Sequence, residues 1–118
     1  MKVTVGRLVH RREFQKVAAS RQRHVTPGFI LQSALAPGKD LRVGFTVSRK
    51  VGTAVARNRA KRRLRELVRE TMPVHAAPGH DYVLIGRAAT VSRPFALLRQ
   101  DLELALKRLG VWRGAEGA

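Results

Sequence analysis

The stretch LRVGFTVSRKVGTAVARNRAKRRLRELVRE, Leu41 to Glu70, changes its periodicity once, and that change decides the fold. In its first part Leu41, Val43, Phe45 and Val47 alternate with Arg42, Gly44, Thr46 and Ser48. This is the pattern of a strand with one packed face and one face toward solvent or ligand. After Gly52, the run Ala54 to Glu70 holds strong helix formers and no internal Gly or Pro, so it predicts a helix with Pro73 as its latest end. At about 100° per residue, Ala56, Ala60, Leu64, Leu67 and Val68 share one face, and Asn58, Lys61, Arg62, Arg65 and Arg69 the opposite one. The helix can pack and bind at once.

Working outward, Phe29 to Leu35 is extended in pattern and is followed by the turn signal Pro37-Gly38-Lys39-Asp40. This predicts an antiparallel hairpin with the strand Leu41 to Ser48. Upstream, Phe14, Val17 and Ala18 fall at helical spacing within His10 to Arg23, which reads as a short basic amphipathic helix. Downstream, Met72 to Gly79 reads as loop. Asp81 to Arg87 contains Tyr82, Val83, Leu84 and Ile85, apolar on both faces and short, the mark of a central strand. Ser92 is placed to cap a last helix near Pro94, with Phe95, Leu98, Leu102, Leu106 and Leu109 as its buried stripe and Gly110 as its stop. Val111 to Ala118 reads as a frayed tail. The whole chain, 1–118, is expected to be one domain with its core at about 8–110.

Composition narrows the partner. The 118 residues suit one domain, and with 44% apolar but only 5% aromatic residues the core must be mainly aliphatic. Against 24 Lys and Arg stand 8 Asp and Glu, a formal charge of +16. Such self-repulsion calls for a polyanion, and nucleic acid leads. The start Met1-Lys2-Val3-Thr4-Val5-Gly6-Arg7 lacks the continuous apolar stretch of a signal peptide, and no run reaches membrane-spanning length. Without cysteine, disulfide and thiolate chemistry are excluded. A cytoplasmic location with no membrane partner is the expectation.

Between Val51 and Glu70, Arg57, Arg59, Lys61, Arg62, Arg63, Arg65 and Arg69 face only Glu66 and Glu70. Arginine offers a planar fork matched to phosphate oxygens, and Asn58 adds an amide for phosphate, 2′-hydroxyl or base edge. The bland alternative is a solvated face with Arg62 to Glu66 as an ordinary helical pair. The order Arg57-Asn58-Arg59, Ala60-Lys61-Arg62, Leu64-Arg65-Glu66 resembles the signature helix of the ribonuclease P protein family. The similarity continues through Arg42 to Gly52, the Phe14-Gln15-Lys16-Val17 helix and the strand from Asp81-Tyr82 to Arg87.

That resemblance implies an α+β fold, a single-domain sandwich of order α-β-β-β-α-β-α with a left-handed βαβ crossover, like the second domain of a small-subunit ribosomal protein. Its short first strand would lie near Arg23 to Thr26. It further implies that Arg57, Asn58, Arg59, Lys61, Arg62 and Arg65 meet a catalytic RNA, while a cleft receives the single-stranded 5′ leader of precursor tRNA. Carried over by position, the cleft comprises Phe14, Gln32, Ser48, Arg49, Lys50 and Arg87. The protein would be the non-catalytic subunit of a ribonucleoprotein endoribonuclease. Three positions depart from the family pattern: Ala18 and Gln32 stand where aromatic residues are common, and Thr53 where Asn usually follows the glycine. Stacking is worth roughly 1 to 3 kcal/mol per base, so this cleft should rely more on cationic and amide contacts. Core packing explains Phe14 equally well, whereas Arg87 at a strand end points to a ligand.

Self-contained catalysis is not expected. His10, His24, His75 and His80 include no helical pair with an adjacent Glu. Asp40, Asp81, Asp101 and Glu103 show no paired-carboxylate pattern for a two-metal nuclease. Phosphate loops and organic cofactors find no motif. Any Mg²⁺ used in cleavage should be held chiefly by RNA. The second reading is a structural RNA-binding protein of ribosomal type without a processing role, and the third a basic-helix DNA binder, which would usually need a dimer element or helix-turn-helix.

Overall fold

The computed structural model describes residues 2–114. Strand β1 (Val5–Arg7) precedes helix α1 (Arg11–Ala19), and β2 (Gln22–Val25), β3 (Phe29–Leu35) and β4 (Leu41–Thr46) follow. A 3₁₀ turn at Arg49–Val51 leads into α2 (Ala54–His75), then β5 (His80–Gly86), a second 3₁₀ turn at Ala88–Val91 and α3 (Phe95–Arg108). The five strands form one mixed sheet in the order β1-β4-β5-β3-β2. It is an α+β sandwich, with β1 standing ahead of the expected element order.

The expected β3–β4 hairpin does not form. β5 inserts between its two arms, antiparallel to β3 and parallel to β4. The physical reason lies in the side chains of β5, where Tyr82, Val83 and Leu84 are all buried. A strand apolar on both faces belongs in the middle of a sheet covered on both sides. β1, parallel to β4 at the sheet edge, was missed because three residues are too few to show a period.

Alternation sorts the two faces. Phe29, Leu31, Leu41, Val43, Tyr82 and Leu84 turn toward α2 and α3, where they meet Leu64, Leu67, Met72, Leu98, Leu102 and Leu106 in the main core. Val83 turns the other way and packs with Leu8 and Val17 under α1. α1 ends at Ala19, short of Arg23, because Arg21 adopts φ of 59° and turns the chain into β2.

α2 runs past Pro73 to His75. Proline forfeits its own N–H and crowds the carbonyl one turn back, but near the helix end the ladder resumes, with the Ala76 N–H donating to the Met72 carbonyl at 3.1 Å. The Pro73 carbonyl in turn accepts from Val3 N–H at 2.8 Å, so the N-terminal segment is held on the helix end. The expected tail is also corrected at its start: Val111 is 5% exposed, the Trp112 ring stacks on His75 with centroids 4.2 Å apart, and Arg113 donates to the Ala76 and Pro73 carbonyls. Val111 and Trp112 are apolar side chains with a core edge to cover. Residues 115–118 lie outside the described residues. Ser92 does not cap α3; Pro94 takes that position without a side-chain cap, and Asp101 instead ties the region together through Arg93 and the Gly28 N–H.

Candidate nucleic-acid interface

Two cationic surfaces emerge. The first lies on the α1 side of the sheet, where register aligns three rows of side chains across β4, β5 and β3: Arg42, Asp81 and Ala34; Gly44, Val83 and Gln32; Thr46, Ile85 and Ile30. α1 crosses the first two rows. Phe14 lies on Gly44, where a Cβ would stand 2.5 Å from the ring atoms Cε2 and Cζ, so only glycine leaves room for it. Val17 covers Val83, and the Ser20 hydroxyl donates to the Ser33 carbonyl at 2.7 Å. Thr46 is exposed and Ile30 and Ile85 are half-buried, which leaves the third row open as a floor.

The closed end of this surface is clamped by charge. Arg42 Nε and Nη2 donate to Asp81 at 2.9 and 2.8 Å, a bidentate pair, and Nη1 donates to Glu13 at 2.7 Å. Glu13 also accepts the backbone N–H groups of Val9 and His10 at the start of α1, at 3.0 and 2.8 Å. Those backbone donors first, and the Arg42 guanidinium after them, hold the Glu13 carboxyl below the ordinary glutamate range. α1 is therefore anchored at its first turn to a strand and to the sheet centre. Arg42 was placed on the ligand-facing side of β4 by alternation, but its role as a brace was not legible because both partners are remote in sequence.

The open end carries the predicted cleft residues. Ser48, Arg49 and Lys50 are exposed and are wound into one turn by the Val51 N–H, which donates to the Ser48 carbonyl at 3.1 Å. Gly52 closes the turn with φ of 147°, a backbone conformation L side chains avoid. Arg87 lies beyond the end of β5, exposed, and donates from Nη1 to the Thr26 carbonyl at 2.7 Å. Its guanidinium thus joins the β2–β3 turn while keeping further N–H groups. Gln32 is half-buried in the middle row beside Val83, and Arg23 of β2 pairs opposite it. Phe14 is half-buried, so packing on Gly44 accounts for part of its surface. Ala18 is exposed and carries only a methyl.

The second surface is α2. Thr53 Oγ1 accepts the Ala56 N–H at 3.2 Å and caps the helix. Ala60, Leu64, Leu67 and Val68 are buried, and Asn58, Arg59, Arg62, Arg65 and Arg69 are exposed, as the helical period requires. Arg57 and Lys61 are half-buried. With Val47, Ala54 and Asn58 they line a small cavity of about 190 Å³ between the helix and the end of β4, and Arg57 Nε is buried without a hydrogen-bond partner in the protein. Glu66 pairs with Arg69, not with Arg62. Arg63 departs from the rest: it turns inward and donates to the Val91 carbonyl at 2.8 Å and to the Arg93 carbonyl. Burial, and then the charge of Arg59, hold its guanidinium below arginine's ordinary range.

Six ion pairs occupy every acidic side chain among the described residues except Asp40. The cations of both surfaces are thus left mostly without carboxylates. Among the described residues no three His, Cys, Asp or Glu side chains gather to hold a metal ion, and no helix is long and apolar enough to cross a membrane.

This fold is shared with two solved proteins. The RNase P protein from Thermotoga maritima superimposes with a TM-score of 0.74 at 30% identity, over 86% of this chain and 96% of that one. The RNase P protein of Staphylococcus aureus gives 0.73 at 25% identity, over 91% and 97%. In sequence, the ribonuclease P protein component of Paramagnetospirillum magneticum is 52% identical across all of this chain and 92% of its own length. That of Gluconacetobacter diazotrophicus is 49% identical over 93% and 95%. The Ribonuclease P family model matches residues 4–110. The chain belongs to the ribonuclease P protein family.

Proposed function

We propose that this chain is the protein subunit of a ribonucleoprotein endoribonuclease that removes the 5′ leader of precursor tRNA. In this reading α2 docks on the catalytic RNA through Arg57, Asn58, Arg59, Lys61, Arg62 and Arg65. The α1-side cleft, with Phe14, Gln32, Ser48, Arg49, Lys50 and Arg87, receives the leader. The observation that carries it is the division of α2 into a buried aliphatic face and an exposed face on which Arg59, Arg62 and Arg65 have no carboxylate partner among the described residues, while Arg69 pairs with Glu66. The protein binds and orients, and neutralises phosphate repulsion as the two RNAs approach. Any Mg²⁺ used in cleavage would be held chiefly by RNA phosphates, where it would supply an activated water; this chain's residues would only bind and orient the RNA.

The test is reconstitution at low Mg²⁺ with a bacterial catalytic RNA and precursor tRNA. Accurate 5′ maturation that requires both RNA and protein is expected, with no cleavage by the protein alone. Specific cleavage by RNA-free protein, or no effect of the protein on the RNA's Mg²⁺ requirement, would reject the reading. A scaffold protein of ribosomal type would bind RNA and leave that requirement unchanged.

A further inference from the structure

A third feature adjoins the α2 surface and shares Arg65 and Arg69 with it. On the α2 side of the sheet, between the N-terminal strand and the outer edge of the helix, lies a groove of about 770 Å³, within the size range of small-ligand sites. Its floor is apolar: Val3, Val5, Val43, Phe45, Val68 and Pro73. Cations stand on both banks, Lys2 and Arg7 on the strand side and Arg65 and Arg69 on the helix side, and no acidic residue lines it.

Register explains the arrangement. Val5 and Arg7 of β1 pair with Leu41 and Val43 and share their face, so β1 turns one apolar and one cationic side chain toward α2. Arg65 and Arg69 are one helical turn apart and stand as neighbours on the facing bank. Arg69 pairs with Glu66, but both side chains are largely exposed, and such a surface pair yields easily to a better anion. Phe45 is half-buried and supplies the aromatic surface of the floor.

We infer that this groove receives one unstacked nucleotide of an RNA partner, the base on the Val5, Phe45 and Val68 floor and its phosphate between Arg65 and Arg7. A simple polyanion would use the banks and leave the floor bare. A neutral apolar ligand would have no use for four cations. A nucleotide is flat and apolar on its faces and anionic at one end, and it matches both halves of the groove. The inference rests on the reading of α2 as an RNA-facing helix, and assigns a base-binding role to residues that show no base-reading motif.

The experiment is a methyl and amide NMR titration of the full chain with adenosine 5′-monophosphate, against ribose 5-phosphate and a hexaglutamate peptide as controls for charge. Adenosine monophosphate should shift the methyls of Val3, Val5 and Val68 and bind at least tenfold more tightly than ribose 5-phosphate. Val5→Glu should erase that advantage, Val5→Ser should reduce it severalfold at an edge strand that tolerates the change, and Arg65→Ala should weaken both phosphates alike. Equal binding of the base-free phosphate, the same methyl shifts from hexaglutamate, or shifts confined to Phe14, Thr46 and Ile85 would overturn the inference. Reconstituted cleavage by the unaltered protein is measured alongside. If cleavage is supported and the methyls do not respond, the groove assignment fails and the subunit reading stands.

Discussion

The two cationic surfaces use arginine in opposite ways. On α2 the side chains of Arg59, Arg62 and Arg65 project from one continuous helix and are exposed, so their positions are set by a local period alone. The α1-side surface draws on a helix, a turn and a strand end, and its arginines are partly committed: Arg42 to Asp81 and Glu13, Arg87 to the Thr26 carbonyl. A contiguous surface can be rigid without internal ties. An assembled one must be tied, and some of its charge goes into the ties.

The sharpest break of this comparison is expected from α2. Replacing Arg57, Arg59, Lys61 and Arg65 together with Ala should lower affinity for the catalytic RNA by about a thousandfold, at about 1 kcal/mol per contact. It should also flatten the salt dependence of log affinity by about 3, with circular dichroism unchanged. An unaltered salt slope in a folded variant would show that α2 is not the contact.

Next in size, the Arg49, Lys50 and Arg87 triple Ala variant should lose about a hundredfold in affinity for precursor tRNA with a leader of several nucleotides. It should lose nothing for a single-nucleotide leader, which cannot reach the cleft. Fluorescence titration of each variant assembled on catalytic RNA measures both. Phe14→Ala should cost less than the triple change, since stacking partners are absent at Ala18 and Gln32. Equal losses for both leaders would mean the cleft does not hold the leader.

Arg63 sharpens the contrast within one helix. Arg63→Ala removes two charge-assisted hydrogen bonds to the Val91 and Arg93 carbonyls and should destabilise the fold by about 2 kcal/mol, a fall in Tm of about 8 °C. RNA affinity of the folded fraction should barely change. A large affinity loss at unchanged Tm would contradict the inward role.

The smallest expected effect concerns the tie at α1. The Glu13 carboxyl is held below its unfolded value, so its contribution is present above the ordinary glutamate range and is lost as pH falls through the lowered folded value. Protection factors of the α1 amides, with the intrinsic pH dependence of exchange divided out, should therefore fall on acidification below pH 4.5, and Glu13→Gln should flatten that dependence. An identical pH profile in the variant would assign the acid sensitivity to other carboxylates.

What was legible follows the same division. The α2 faces, the stripe of α3 and the extent of β3 are local periodicities, and they stand within a residue or two of the expected places. The β3–β4 hairpin failed because adjacency in the chain competes with burial on two faces, and Tyr82 to Leu84 needed a central site. β1 is too short to carry a period, and Pro73 forfeits too little to stop a helix whose Met72 is buried. Within the candidate sites, Arg57 to Arg65 could be chosen from charge and spacing. The proposed cleft set came from resemblance, because Phe14, Ser48 and Arg87 lie on separate elements far apart in the sequence and share no local period. Arg63, Arg42 and Asp81 look in sequence like any other charged residues, and only their distant partners distinguish them.

The central position of β5 has a consequence for how the chain is made. Synthesis proceeds from the N-terminus, and β3 and β4, neighbours in sequence but two places apart in the sheet, each wait with an open edge until all of α2 and then Gly86 have emerged. Unpaired edges invite pairing with a second copy. A growing chain that is already rich in Arg and Lys repels its neighbours on the same polysome. The charge available for RNA in the finished protein thereby also guards the half-built sheet, and neutralising surface changes should raise aggregation during expression before they affect the stability of the folded molecule.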